Sequence, residues 1–135
     1  MDDSFEFFSR TYNLVMPVIP KETLQVESRP GAAPHARVLK LTGSLTIDCC
    51  YDFQDRLRAD KSPCLILDMA DVKFVDSSGI GCLVNGYIAH HMAGGRLVLV
   101  GVNKRIRETL EETRVQQFFS IFATVEEAEK EVAKA

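Results

Sequence analysis

Two short runs in this chain, Cys64-Leu65-Ile66-Leu67 and Leu97-Val98-Leu99-Val100, are apolar at every successive position. A strand with one wet face alternates apolar and polar residues. Unbroken runs of this length belong to strands covered on both faces, as in parallel sheets with helices packed against them. Pro63 stands before the first run and Gly94-Gly95 before the second, and both are signals that a loop ends there. The chain is therefore expected to be an α/β protein.

The remaining segments fit that expectation. Arg37-Val38-Leu39-Lys40-Leu41 reads as a strand closed by Thr42-Gly43, and Leu24-Gln25-Val26-Glu27 as an earlier one. Between them Ser28 to Pro34 holds two prolines and a glycine, which predicts a turn. Phe119 to Phe122 is a candidate edge strand. Helical spacing is clearest in Ile80, Leu83, Val84, Tyr87 and Ile88, a stripe expected to pack on the sheet. The opposite side of that helix carries Gly81, Cys82, Asn85, Gly86 and Ala89, small residues that let a partner approach closely. Cys50, Phe53 and Leu57 mark a first helix, with Thr46 as its cap, and Ile106 with Leu110 marks a third. Arg107 and Glu111 are placed to pair on the third helix. Thr124 and Glu127 have capping-box spacing before Val125, Ala128 and Val132, the inner stripe of a last helix.

With 135 residues and 46% apolar content, the chain suits one domain with one modest core. A net charge of -3 argues against a nucleic-acid-binding face, because phosphate backbones are held by clustered Lys and Arg. No stretch approaches the roughly 20 apolar residues of a membrane span, so no membrane association and a cytoplasmic location are expected. Cys49, Cys50, Cys64 and Cys82 show no CxxC spacing and read as buried free thiols rather than a metal or disulfide set. His90-His91 has no further ligand to complete a metal site and reads as helix termination. No metal and no cofactor are expected.

Chemistry in such a fold is sought where a strand ends and a helix begins, since loops and the positive ends of helix dipoles meet at that edge. Asp71-Val72-Lys73-Phe74-Val75-Asp76-Ser77-Ser78-Gly79-Ile80-Gly81 is such a junction. One reading is helix capping by Asp76, Ser77 or Ser78. The other is a phosphoacceptor serine, because a phosphate at a helix N-terminus meets free amides and a favourable dipole. No Ser-His pair, phosphate loop or paired carboxylates point to an enzyme.

Phe74-Val75-Asp76-Ser77-Ser78-Gly79-Ile80-Gly81, followed by an amphipathic helix, resembles the signature of STAS domains of the anti-sigma factor antagonist family. The resemblance runs from about Val38 to Val132 and includes the Leu-Ile-Leu-Asp and Leu-Val-Leu-Val strands. It implies a STAS-like sandwich, a mixed and mostly parallel sheet of four to five strands packed with about four helices. It also implies phosphorylation at Ser77 and partner contacts from Asp76, Ser78, Gly79, Gly81, Cys82 and Asn85. The implied partners are an anti-sigma factor serine/threonine kinase, bound by the unphosphorylated protein so that a sigma factor is freed, and a PP2C-type phosphatase that resets the switch. A monomer or weak dimer is expected.

Two features depart from the family pattern. Gly43-Ser44-Leu45-Thr46 stands where the family often shows Gly-Glu-Leu-Asp, and residues 1–20 form a leader before a domain spanning 21–135. The leader carries Phe5, Phe7, Phe8, Tyr12, Leu14 and Val15. The alternative function within this fold is a subunit of a stressosome scaffold or of a lipid ABC transporter, acting by association without the Ser77 switch.

Overall fold

The computed structural model describes residues 24–133; the leader expected at residues 1–20 lies outside them. The elements run β1 (Gln25–Pro30), β2 (Ala36–Leu45), α1 (Ile47–Ala59), β3 (Cys64–Val75), α2 (Ser77–Met92), β4 (Arg96–Val100), α3 (Lys104–Glu112), a 3-10 turn at Gln116–Phe118, β5 (Ile121–Phe122) and α4 (Val125–Ala133). They build one five-stranded sheet in sequence order, β1-β2-β3-β4-β5. The β1–β2 pair is antiparallel and the other pairs are parallel. This is the mixed, mostly parallel sheet with four helices that the sequence predicts.

Both faces of the central strands are covered, which accounts for the unbroken apolar runs. Leu65 and Leu67 of β3 and Leu97 and Leu99 of β4 join Phe53, Leu57, Leu83, Ile106 and Leu110 in the larger core, under α1, α2 and α3. Cys64, Ile66, Val98 and Val100 turn the other way and pack with Val125, Ala128 and Val132 of α4. Each fully buried Leu or Ile contributes about 1.5 to 3 kcal/mol through removal from water.

Several boundaries differ from expectation. The predicted turn at Ser28–Pro34 starts later, because β1 continues through Ser28 and Arg29 to Pro30, which pairs with Arg37. β1 is an edge strand with a neighbour on one side only, so the N–H that Pro30 lacks removes no bond from a second ladder. β2 does not stop at Thr42-Gly43 but runs to Leu45, with register shifts between Lys40 and Thr42 and between Gly43 and Ser44. Gly43 has φ +113°, a conformation open to glycine at such a bulge. β3 extends past Leu67 to Val75, paired with β2 as far as Leu45. β5 is confined to Ile121–Phe122, while Phe119 is a buried anchor in the larger core.

The stripe on α2 is also displaced. Ile80 and Leu83 are buried, but Ile88 is exposed, while Cys82 and Gly86 are buried. α1 lies against that side of α2, and a Cβ on Gly86 would come within 2.6 Å of the Leu57 side chain. Glycine is what permits the close approach of the two helices. On α3 the ion pair is Lys104 with Glu108 at 3.9 Å, not the expected Arg107 with Glu111. On α4 Thr124 accepts from the Glu127 amide at 3.2 Å, while the Glu127 carboxylate accepts from Ala123, one residue earlier than a capping box requires.

Candidate functional site

The extended β2 and β3 end together. Asp76 donates its amide to the Leu45 carbonyl at 3.1 Å, so the N-termini of α1 and α2 emerge side by side from the same edge of the sheet. A helix N-terminus carries unsatisfied amides and partial positive charge, and two of them meet here. Asp76 serves both. Its Oδ1 accepts from the Gly79 amide at 2.8 Å and its Oδ2 from the Ile47 amide at 3.1 Å. One carboxylate thus caps α2 and ties down the first residue of α1.

That division of labour decides what the serines do. Ser77 is the first residue of α2 and is exposed, and its hydroxyl takes no part in the cap. Ser78 is half-buried, with its carbonyl accepting from the Cys50 thiol at 3.4 Å. Gly79 is buried against the chain end of β2, where an added Cβ would meet the Leu45 carbonyl oxygen at 2.4 Å. Gly81 and Asn85 are exposed, one and two turns beyond Ser77.

Among the residues expected to face a partner, the structure therefore separates two groups. Ser77, Gly81 and Asn85 share an open face of α2, with Ser78 at its margin. Asp76 is half-buried and committed to two amides, and Gly79 and Cys82 are buried, Cys82 at 1% exposure. In the structure these three lie beneath the face rather than on it. The physical reason is α1, which occupies the side of α2 on which Cys82 lies and receives its thiol at the Cys50 carbonyl, 3.5 Å away.

Sequence reasoning missed the contribution of α1 to this surface. Ile47 and Tyr51 are 54% and 74% exposed, and Ile47 adjoins Asp76 through its amide. Both stand off the Cys50, Phe53, Leu57 stripe, so the helical period already assigned them to solvent. Exposed apolar residues beside a polar rim are common in partner-binding surfaces. Nearby, Asn103 caps α3 by accepting from Ile106 at 2.8 Å and donates to the Val72 and Lys73 carbonyls at 3.1 and 3.2 Å. Arg105 lies over the Phe74 ring at 4.7 Å, a contact from the first turn of α3 to β3.

Two buried thiols are held protonated by their surroundings. Burial, with a further push from Cys50, raises the Cys82 thiol from 9.0 to about 12, and burial also raises Cys64. All four cysteines are free, and Cys49 is the half-buried one. Among the described residues no three His, Cys, Asp or Glu side chains gather as a metal site. No helix among them is long and apolar enough to cross a membrane.

The sequence profile of the STAS domain family matches residues 23–128, which covers the sheet, the Ser77 junction and the start of α4. The chain belongs to the STAS domain family. A Thermotoga neapolitana protein carrying the name anti-sigma factor antagonist is 32% identical over 68 residues, which is 50% of this chain and 60% of the relative. The match thus spans less than two thirds of that protein's length. Among solved structures, an anti-sigma factor antagonist from Thermotoga maritima superposes with TM-score 0.73 at 23% identity, covering 80% of this STAS domain chain and 94% of that one. SpoIIAA in its unphosphorylated form superposes with TM-score 0.69 at 20% identity, covering 84% and 98%. The phosphorylated form of Bacillus SpoIIAA gives 0.61 over 82% and 99%, also at 20% identity. At these identities the superpositions establish the STAS fold.

Proposed function

We propose that this STAS domain is an anti-sigma factor antagonist, a protein-binding switch controlled by phosphorylation at Ser77. Unphosphorylated, it sequesters an anti-sigma factor serine/threonine kinase and frees a sigma factor; a PP2C-type phosphatase resets it. The observation that carries this reading is the division of labour at the junction. Asp76 does the capping, so the Ser77 hydroxyl is exposed and unused at a helix N-terminus. Such a position offers a phosphate free amides and a favourable dipole without unfolding the domain. The name shared by the Thermotoga relatives and the phosphorylated form of SpoIIAA, which has the same fold, support the same reading.

A phosphate adds about 1.5 to 2 negative charges at pH 7. Placed in an interface that must close over Ser77, Gly81 and Asn85, it acts by like-charge contact and desolvation. A loss of about 3 kcal/mol corresponds to roughly a hundredfold weaker complex. Affinity capture with wild-type and Ser77→Asp baits, followed by labelling with the recovered kinase, tests the proposal. Wild type alone is expected to retain the kinase, Ser77→Ala to lose phosphate incorporation, and Ser78→Ala to lose less. Equal labelling of Ser77→Ala and wild type overturns the switch. Equal capture of scaffold or transporter subunits by both baits assigns the domain to association without phosphorylation.

A further inference from the structure

At the opposite end of the α1–α2 pair, about 20 Å along α2 from Ser77 at 1.5 Å per residue, His90 is buried at 5% exposure. Its Nδ1 lies 3.1 Å from the Gly86 carbonyl oxygen. A carbonyl only accepts, so Nδ1 carries a proton. In a neutral ring Nε2 is then a bare acceptor. It is sealed from solvent, has no hydrogen-bond partner, and faces Asp60 Oδ1 at 3.7 Å. Asp60 is the C-cap of α1, with its side chain 9% exposed. Nε2 then faces an acceptor with no donor between them, and its desolvation is left uncompensated.

A cavity of about 170 Å³ opens beside this pair, lined by Arg58, Lys61, Ala93 and Gly94 among others. Asp60 and His90 line this cavity too, but the Nε2 atom itself is closed off from it. A metal ion finds no third His, Cys, Asp or Glu among the described residues. What fits the gap is a proton. We propose that His90 is a proton-operated latch: with Nε2 protonated it bonds Asp60 and pins the last turn of α2 to the C-cap of α1. When that proton leaves, the contact becomes repulsive and the base of the helix pair loosens.

The charged groups around the pair act in both directions. The Asp60 carboxylate faces the ring directly, and the C-terminal end of α2 brings partial negative charge to its own last turn. Arg37 of β2 lies 3.8 Å from Asp60 Oδ2 and draws part of that carboxylate's field. Arg58 and Lys61 repel an imidazolium, but they are exposed at the cavity mouth, where solvent screens them. Gly94 and Gly95 bring no charge. Asp60 Oδ1 also accepts from the Ser62 amide at 2.9 Å and from the Ser62 hydroxyl, which holds the carboxylate in place.

The inference is independent of Ser77. Its test is ring-nitrogen NMR on the full chain with labelled histidine, using the exposed His91 as internal reference. At pH 6 both His90 nitrogens are expected to carry protons, with the sealed Nε2 proton slow to exchange. Asp60→Asn keeps an acceptor for Ser62 and supplies a donor to Nε2, so the Nε2 proton is expected to be lost from His90. A bare Nε2 in wild type at pH 6, or identical His90 spectra in wild type and Asp60→Asn, overturns the latch. If Asp60→Asn fails to fold, the wild-type spectrum decides alone.

Discussion

Replacing Asp76 with alanine removes the acceptors for the Gly79 and Ile47 amides together. Loss of a helix cap costs about 0.5 to 2 kcal/mol, and a second orphaned amide adds to it. A total near 2 kcal/mol is expected for Asp76→Ala in urea denaturation, whereas Ser77→Ala should stay within about 0.5 kcal/mol of wild type, as exposed substitutions do. A larger loss in Ser77→Ala than in Asp76→Ala would return the capping role to the serine. Sequence alone left the cap open among Asp76, Ser77 and Ser78. The choice depended on Ile47, 29 residues away, because only a carboxylate has two oxygens to share between two helices.

At the scale of α2, its glycines do opposite work within one turn. A Cβ at Gly79 would stand 2.4 Å from the Leu45 carbonyl oxygen and 2.7 Å from Val75 Cγ1, while one at Gly81 meets nothing within 4 Å. The obstacle at Gly79 is backbone, which cannot swing aside. Gly79→Ala is therefore expected to destabilise by about 1 to 3 kcal/mol through overpacking, and Gly81→Ala to stabilise by about 0.5 to 1 kcal/mol through helix propensity. Thermal melts of the two variants check this, and shifts of the same sign would refute the placement of α2. The helical period found the stripe of Ile80 and Leu83. It did not find that Cys82 and Gly86 are buried and Ile88 exposed, because a period places residues around an axis without saying how many neighbours that axis has.

Over the whole molecule, two cores share one sheet, and the buried Cys82 thiol makes stability sensitive to alkaline pH. In the unfolded chain Cys82 ionises near 9, whereas the folded protein holds its proton to about 12. Between those values the unfolded state releases a proton that the folded state keeps, so stability falls as pH rises. The urea midpoint is expected to drop from pH 8 to pH 10, with a shallower slope in Cys82→Ala; equal slopes would refute the assignment. What the sequence by itself determined was the layered α/β class, the sheet runs and the Asp76-Ser77-Ser78-Gly79 junction. Those are properties of local period and turn chemistry, carried by neighbouring residues along the chain. Only the tertiary structure decided that Asp76 caps two helices, that Cys82 and Gly79 lie beneath the face rather than on it, and that His90 meets Asp60. Each of these depends on how elements distant in sequence pack, α1 against α2 across Leu57 and Gly86 and the start of α2 against the end of β2, which no local pattern encodes.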